Sequence, residues 1–542
     1  MTLLRYAAAL AALGVCAVGA TRAPVRARRA MVVTREAHAT RAGVAALQAG
    51  GNAVDAAVAV GFALAVTHPS AGNIGGGGFL LARFADGRTT FIDFRERAPK
   101  AATRNMYLDA AGKATRDSVV GYRAAGVPGT VAGLEYAHRK YGRRPWAQLV
   151  RPAVELAARG FPLTYRAAQS LAGSKTLARF SESRRIFQGG GATLVQPDLA
   201  RTLKRIAREG SRDFYRGETA RRLAEDMRRN GGLITLEDLQ DYKPVERRPL
   251  EGGYRGCGIV TAPPPSSGGA GILQMLGVLE GSGYEKSGAG SAAALHVMAE
   301  AMRRYFADRA AYMGDPDFVN VPVTKLLDKA YVAKLRAGIG ERATPSAQIR
   351  ESTETTHYSI VDSEGNAVAV TYTLNGGYGS GVTATGLGFL LNNEMDDFAA
   401  KPGSPNYYGL VQGEANAIAP GKRPLSSMTP TIVTRGGKLY MVIGSPGGPT
   451  IINTVLQTLV NVIDFGMNIQ EATDFPRIHH QWLPDELRME RGFSPDTVAL
   501  LENRGHKIAR VASMGEMAAI LCDGEWLLGA ADSRAEGTAE GY

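Results

Sequence analysis

Glu354-Thr355-Thr356-His357-Tyr358-Ser359 stands where the chain changes character. The seventeen-letter run before it, GIGERATPSAQIRESTE from Gly338 to Glu354, is polar and aperiodic. It reads as an exposed, mobile linker. After it the pattern turns to strands, expected at Thr356 to Val361, Ala367 to Leu374, Gly388 to Asn392, Thr431 to Thr434 and Lys438 to Ile443. A helix-like run from Ile451 to Phe465 follows. The chain therefore divides near residue 354 into a helix-rich part and a strand-rich one.

A threonine hydroxyl is a weak nucleophile without a neighbouring base. If Thr355 becomes the first residue of a chain, its own α-amine can take the proton. Such an amine titrates at about 7.7–8.0, within reach of neutral pH. The next turn strengthens the reading. Asp362-Ser-Glu-Gly-Asn366 has the composition of a hairpin loop, and pairing Val361 with Ala367 sets Thr355 directly opposite Thr373. Asn375 lies just beyond. Thr-rich strands also arise simply because threonine favours β structure, so the hairpin alone does not decide the matter. Gly444-Ser-Pro-Gly-Gly448 sits between a strand and a helix, where exposed amides can stabilise an oxyanion. A phosphate loop is the rival reading, but no Gly-Lys-Ser/Thr closes this run or the run Gly75 to Gly78.

Working outward, 542 residues are many for one core, so several layers are expected. Met31 to Thr34 reads as a strand, Thr40 to Gln48 as a helix stopped at Gly50-Gly51, and Asn52 as the cap of a second helix reaching Val66. Ala82 to Phe94 reads as two strands joined at Ala85-Asp-Gly87, and much of 115–335 as amphipathic helix. The net charge of +12 comes largely from arginines on helical stretches such as 201–208 and 221–229. These are solvated faces, and no nucleic-acid motif accompanies them. Residues 1–20 read as an export signal: Arg5, an apolar run from Tyr6 to Val18, and small residues at Gly19-Ala20. No segment is a convincing membrane span. Cys16 lies in a weak lipoprotein-like context with bulky Val15 before it. Without the signal only Cys257 and Cys522 remain, and two separate thiols are the plainer reading.

Seven segments occur together in one order: Gly51-Asn-Ala-Val-Asp-Ala-Ala57, Asn73-Ile-Gly-Gly-Gly-Gly-Phe79, Asp93-Phe-Arg-Glu-Arg-Ala-Pro99, Thr355-Thr-His-Tyr-Ser359, Leu391-Asn-Asn-Glu-Met-Asp-Asp397, Lys422-Arg-Pro-Leu-Ser-Ser-Met428 and Gly444-Ser-Pro-Gly-Gly448. With them the chain resembles the γ-glutamyltranspeptidases, N-terminal-nucleophile hydrolases, from about Val32 to Tyr542. The resemblance implies an α+β fold, a four-layer αββα sandwich. It implies self-cleavage between Glu354 and Thr355 into a large subunit, 21–354, and a small one, 355–542, which stay associated. The implied activity is attack on the γ-glutamyl amide of glutathione and related compounds, then transfer of the acyl group to water or to an amino-acid or peptide acceptor.

The site residues follow from the same resemblance. Thr355 is the nucleophile, Thr373 its hydrogen-bond partner, and Gly447 and Gly448 the oxyanion amides. Arg95 grips the α-carboxylate through its fixed fork of donors, with Ser426 and Ser427 on the same group. Glu394 and Asp397 hold the α-ammonium, with Asn375 beside them. Tyr408, in the stretch Pro402 to Gly413, matches a lid present in some members. The plainer readings are a surface ion pair for Arg95 with Asp93 or Glu96, and turn carboxylates for Glu394 and Asp397. No metal or cofactor is implied. His357 suits packing or a supporting role in processing, and His479-His480 lacks partners at ligand spacing. Position 394 is Glu where some bacterial relatives carry Gln, which favours an ammonium. The alternatives are a glutaryl-cephalosporin acylase of the same superfamily, whose substrate lacks that ammonium, and an unprocessed exported binding protein.

Overall fold

The hairpin at 356–373 fixes the centre of the molecule. Thr356–Val361 pairs antiparallel with Ala367–Thr373, with Val361 opposite Ala367 and Thr356 opposite Tyr372. That is the register read from the loop sequence, and one further step brings Thr355 to Thr373. The computed structural model describes residues 22–346 and 355–542; the expected signal at 1–20 and Glu354 lie outside them.

Two seven-stranded antiparallel sheets are stacked face to face. The first runs Thr538–Gly541, Met31–Thr34, Thr356–Val361, Ala367–Thr373, Gly77–Arg83, Thr89–Phe94, Val245–Arg247. The second runs Val25–Ala27, Trp526–Ala531, Ala518–Asp523, Lys438–Gly444, Thr431–Arg435, Cys257–Thr261, Leu250–Tyr254. Alternation along the strands of the first sheet separates two cores. Met31, Val33, Phe79 and Leu81 face the second sheet, while Val32, Leu80, Tyr358 and Ile360 face helices such as Ala37–Gln48, Ala53–Thr67 and Thr130–Tyr141. Helices Gly268–Leu279 and Thr450–Ile463 cover the second sheet, and Ala292–Tyr312 packs on the former. The order of layers is αββα, as the resemblance implied.

Both sheets interleave strands from before and after residue 354. A cut there leaves two fragments that cannot part without breaking every strand pairing between them. The helix Ala53–Thr67 is apolar on all sides and buried throughout, and the Asn52 and Asp55 side chains close its first turn reciprocally. Among the described residues, no helix is long and apolar enough to cross a membrane.

Two expectations need adjusting. Gly388 to Asn392 is not a strand: only Leu390 bridges, to Thr383. Gly386 and Gly388 have φ of 65° and 79°, which breaks the extended run, and the Asn392 side chain is spent on Gly75 O and Gly126 O. Residues 338–346 of the linker are tied to the body, through Ala343 N to Arg504 O at 2.8 Å, Thr344 Oγ1 to Glu300 Oε2 at 2.6 Å and Ser346 N to Asp485 Oδ2 at 2.7 Å. The basic stretch Arg22 to Arg29 contains a strand, Val25–Ala27, at the edge of the second sheet. Cys257 and Cys522 are separate thiols, on strands of that sheet with two other strands between them.

Candidate active site

Residues 357, 359 and 361 of the central strand point between the sheets. Ser359 Oγ reaches Ala518 O at 3.0 Å, and the His357 ring packs on Gly444, where a Cβ would come within 2.3 Å of it. By the two-residue period, Thr355 shares that face at the end of the strand. It is buried, and Thr373 Oγ1 approaches its Oγ1 at 3.4 Å. The amide of Asn375 donates to Thr373 Oγ1 at 2.8 Å, which leaves the Thr373 proton for Thr355. Asn375 takes φ of 76°, a conformation asparagine tolerates, and its Nδ2 donates to Asn393 O at 2.9 Å. His357 hydrogen-bonds Thr371 Oγ1 and Ser359 Oγ, and burial alone pushes its pKa down to about 3. It stays a neutral packing group.

The second sheet supplies the opposite wall. Strand Lys438–Gly444 ends in Ser445-Pro-Gly-Gly-Pro449, and helix Thr450–Ile463 begins there. Gly447 and Gly448 have φ of 130° and 54°, a geometry that glycine supplies without strain. A side chain on Gly447 would strike Thr450 Oγ1 at 2.4 Å. Among the described residues, neither amide is taken by a protein acceptor. Gly448 and Thr355 line the same small cavity.

The far end of that cavity is charged. Arg95, just after strand Thr89–Phe94, is wholly buried and donates to Glu394 Oε1 and Asp397 Oδ2, with Glu96 close by. Its Nε–H also points at Pro424 O, 3.3 Å away. Glu394 and Asp397 belong to one 3₁₀ turn, set in place by Asn392 Oδ1 accepting Glu394 N at 3.0 Å. Burial opposes charge on Arg95, but Glu394, Asp397 and Glu96 outweigh it and hold its pKa above the ordinary arginine value. Burial lifts Glu96 to about 7 against the pull of Arg95, and lifts Glu394 well above the usual carboxylate range. Three carboxylates thus share the single guanidinium of Arg95.

Ser426 and Ser427 close the third side. Ser426 N donates to Pro265 O at 2.9 Å, and Ser426 O accepts from Ser267 N and Oγ. Ser426 Oγ accepts from Met428 N at 3.1 Å, and Ser427 Oγ accepts from Arg309 Nη2 at 3.2 Å. Both hydroxyls therefore have an occupied acceptor side and a proton to donate. Tyr408 roofs the cavity. Its hydroxyl donates to Asn375 O at 2.6 Å, and its ring sits 3.0 Å from where a Gly448 Cβ would be. Asn406 Oδ1 shapes the loop by accepting the amides of Tyr408 and Leu410.

Every residue singled out from the sequence lines this cavity except Gly447, one position away, and Glu354, outside the described residues. Arg309, Leu410, Met428, Pro449 and Ile451 also line it and were not anticipated. Arg309 gave no local signal: helix Ala292–Tyr312 also carries Glu300, Arg303, Arg304 and Asp308, a composition that reads as a solvated face. His479 is held by Asn453 and Gln481, and no group that could hold a metal ion occurs among the described residues.

An αββα sandwich with a threonine hydroxyl at the start of its central strand defines an N-terminal-nucleophile hydrolase. The γ-glutamyltranspeptidase family model matches residues 39–542, and the chain belongs to that family. A glutathione hydrolase proenzyme of Escherichia coli is 54% identical over 530 residues, covering 94% of this chain and 91% of the relative. Among solved structures, a cephalosporin acylase from Bacillus halodurans superposes with a TM-score of 0.87 at 28% identity, covering 98% of both chains. A γ-glutamyltranspeptidase of Helicobacter pylori is 46% identical with a TM-score of 0.57, covering 58% of this chain and 93% of that one.

Proposed function

We propose that the chain is a self-processing γ-glutamyltranspeptidase and glutathione hydrolase. The observation that carries this reading is the cavity itself, with the Thr355 hydroxyl at one end and Arg95 paired with Glu394 and Asp397 at the other. A γ-glutamyl group ends in an α-carboxylate and an α-ammonium. Its two charges can replace the internal ion pairs, the carboxylate meeting Arg95, Ser426 and Ser427, the ammonium meeting Glu394, Asp397 and Asn375.

In the proposed sequence, Thr355 Oγ1 first attacks the Glu354 carbonyl, the C–N bond breaks to leave an ester on Oγ1 and a free α-amine, and water hydrolyses that ester to release the Glu354 carboxylate and the Thr355 hydroxyl. The freed α-amine then takes the hydroxyl proton as Oγ1 attacks the γ-carbonyl of the donor. Thr373 donates to the nucleophile, and the amides of Gly447 and Gly448 receive the developing oxyanion. The leaving amine takes the proton. The γ-glutamyl ester on Thr355 is then opened by water or by the amine of an amino acid or peptide. Tyr408 keeps bulk water from the acyl group. Residues 21–354 and 355–542 are the two subunits of this reading, and the leader at 1–20 supports export to the periplasm or beyond.

The likeness to a cephalosporin acylase favours a second reading, glutaryl transfer. A glutaryl group lacks the ammonium and would leave Glu394 and Asp397 facing it without a cation. Turnover of γ-glutamyl and glutaryl p-nitroanilides separates the two. Preference for the γ-glutamyl donor is expected, and preference for glutaryl overturns the assignment.

A further inference from the structure

Arg309, in the cavity wall, is not accounted for by this mechanism. It lies on helix Ala292–Tyr312, is 2% exposed and lines the cavity that holds Thr355. Its Nε–H donates to Ser267 Oγ at 2.9 Å and its Nη2 to Ser427 Oγ at 3.2 Å. Its Nη1 is buried with no hydrogen-bond partner among the described residues. Arg303, Arg423 and Arg477 are buried to a similar degree, and each reaches a carboxylate. Among the described residues, Arg309 reaches none within ion-pair range. A buried cation without a counter-ion is costly, and a buried N–H group without an acceptor adds to the cost. Both deficits vanish when an anion enters the cavity.

The hydrogen bonds give the direction. Serine carries one proton and two lone pairs. Because Arg309 donates into Ser427 Oγ, the hydroxyl proton must go elsewhere, and no described protein group accepts it. Ser426 is in the same state, its oxygen occupied by Met428 N. Arg309 also sets the loop that carries both serines. It holds Ser267 Oγ, which donates to Ser426 O at 2.7 Å.

We propose that Arg309 is a positioning and specificity-determining residue for acyl donors bearing an α-carboxylate, fixing Ser427 as a donor and supplying a second positive charge at that end of the cavity. The inference rests on the γ-glutamyl reading. It adds that recognition of the carboxylate is shared between two arginines, one neutralised by acidic neighbours and one not. Arg95 alone, ringed by Glu96, Glu394 and Asp397, is a poor net attractor of anions.

The experiment compares γ-glutamyl p-nitroanilide with 4-aminobutyryl p-nitroanilide, which lacks only the carboxylate. Arg309→Met is expected to lower kcat/KM on the γ-glutamyl donor by about 10–100-fold, mostly through KM, as loss of a charge-assisted contact does. On 4-aminobutyryl p-nitroanilide the variant should match the parent enzyme. Arg309→Lys, which keeps the charge without the fork, should recover part of the loss. Introduced beside Ser427→Ala, Arg309→Met should cost less than it does alone. Equal loss on both donors, or full additivity with Ser427→Ala, overturns the proposal and makes Arg309 a packing residue. If Arg309→Met releases no small subunit, Arg309→Lys carries the same two-donor comparison. Should the parent enzyme show no preference for the γ-glutamyl donor, it is the functional reading that fails. If the parent shows the preference and Arg309→Met retains it, only the role of Arg309 fails.

Discussion

Thr373 Oγ1 stands 3.4 Å from Thr355 Oγ1, across the hairpin from it, and is itself held by the Asn375 amide at 2.8 Å. The contact is long for a hydroxyl pair, and it shortens as charge builds on the nucleophile. Thr373→Val keeps the shape and removes the donor. Steady-state kinetics should show kcat falling by about 10–100-fold with KM little changed. A fall confined to KM would mean that Thr373 binds substrate and does not assist the nucleophile.

The ring of carboxylates around Arg95 makes that arginine an anchor as well as a binding group. Arg95→Met leaves Glu96 and Glu394 buried without their cation. In the uncut Thr355→Ala background, denaturant unfolding should show a loss of about 3–5 kcal/mol. A loss under about 1 kcal/mol, the range of an exposed ion pair, would contradict the buried arrangement.

Glu96 gives a pH signature. Its folded-state pKa, about 7, lies above the value near 4.3 expected in an unfolded chain. The folded protein therefore binds the extra proton between those values, and stability falls as pH rises from about 4.3 to about 7. The favourable contribution is full below the lower value and gone above the upper one. Glu96→Gln should flatten that part of the unfolding profile, measured again in the Thr355→Ala chain. An unchanged slope would place the titration elsewhere.

Tyr408 joins the lid to the glutamyl end through Asn375 O. Tyr408→Phe removes one neutral hydrogen bond, and kcat/KM should drop by about 2–10-fold. Tyr408→Ala should go further and admit bulkier acyl donors, read as a broadened donor range in a donor survey. A Tyr408→Ala enzyme with the parent's donor range would remove the lid from the account.

The legible and illegible parts of the site differ for a physical reason. Local rules reached far at the hairpin: a five-residue loop with Asp362 and Gly365 fixed the register, and the register placed Thr373. The same rules failed at Gly388 to Asn392, because an extended pattern says nothing of glycine φ or of a side chain claimed by distant carbonyls. Arg95 lies far in sequence from Glu394 and Asp397, and only the motifs joined them. Arg309 looked like one more basic residue on a helix. Its burial depends on how that helix is packed between Gly268–Leu279, Pro495–Asn503 and their neighbours, which spacing alone does not encode.

The central claim is that the chain cuts itself before Thr355 and thereby creates its catalytic base. N-terminal sequencing of the smaller fragment, with electrophoresis of the Thr355→Ala chain beside it, tests this most directly. The account predicts a fragment beginning Thr355-Thr-His-Tyr-Ser and a single uncut, inactive band for the variant. A fragment starting at any other residue, or activity from a chain that remains intact, would contradict it.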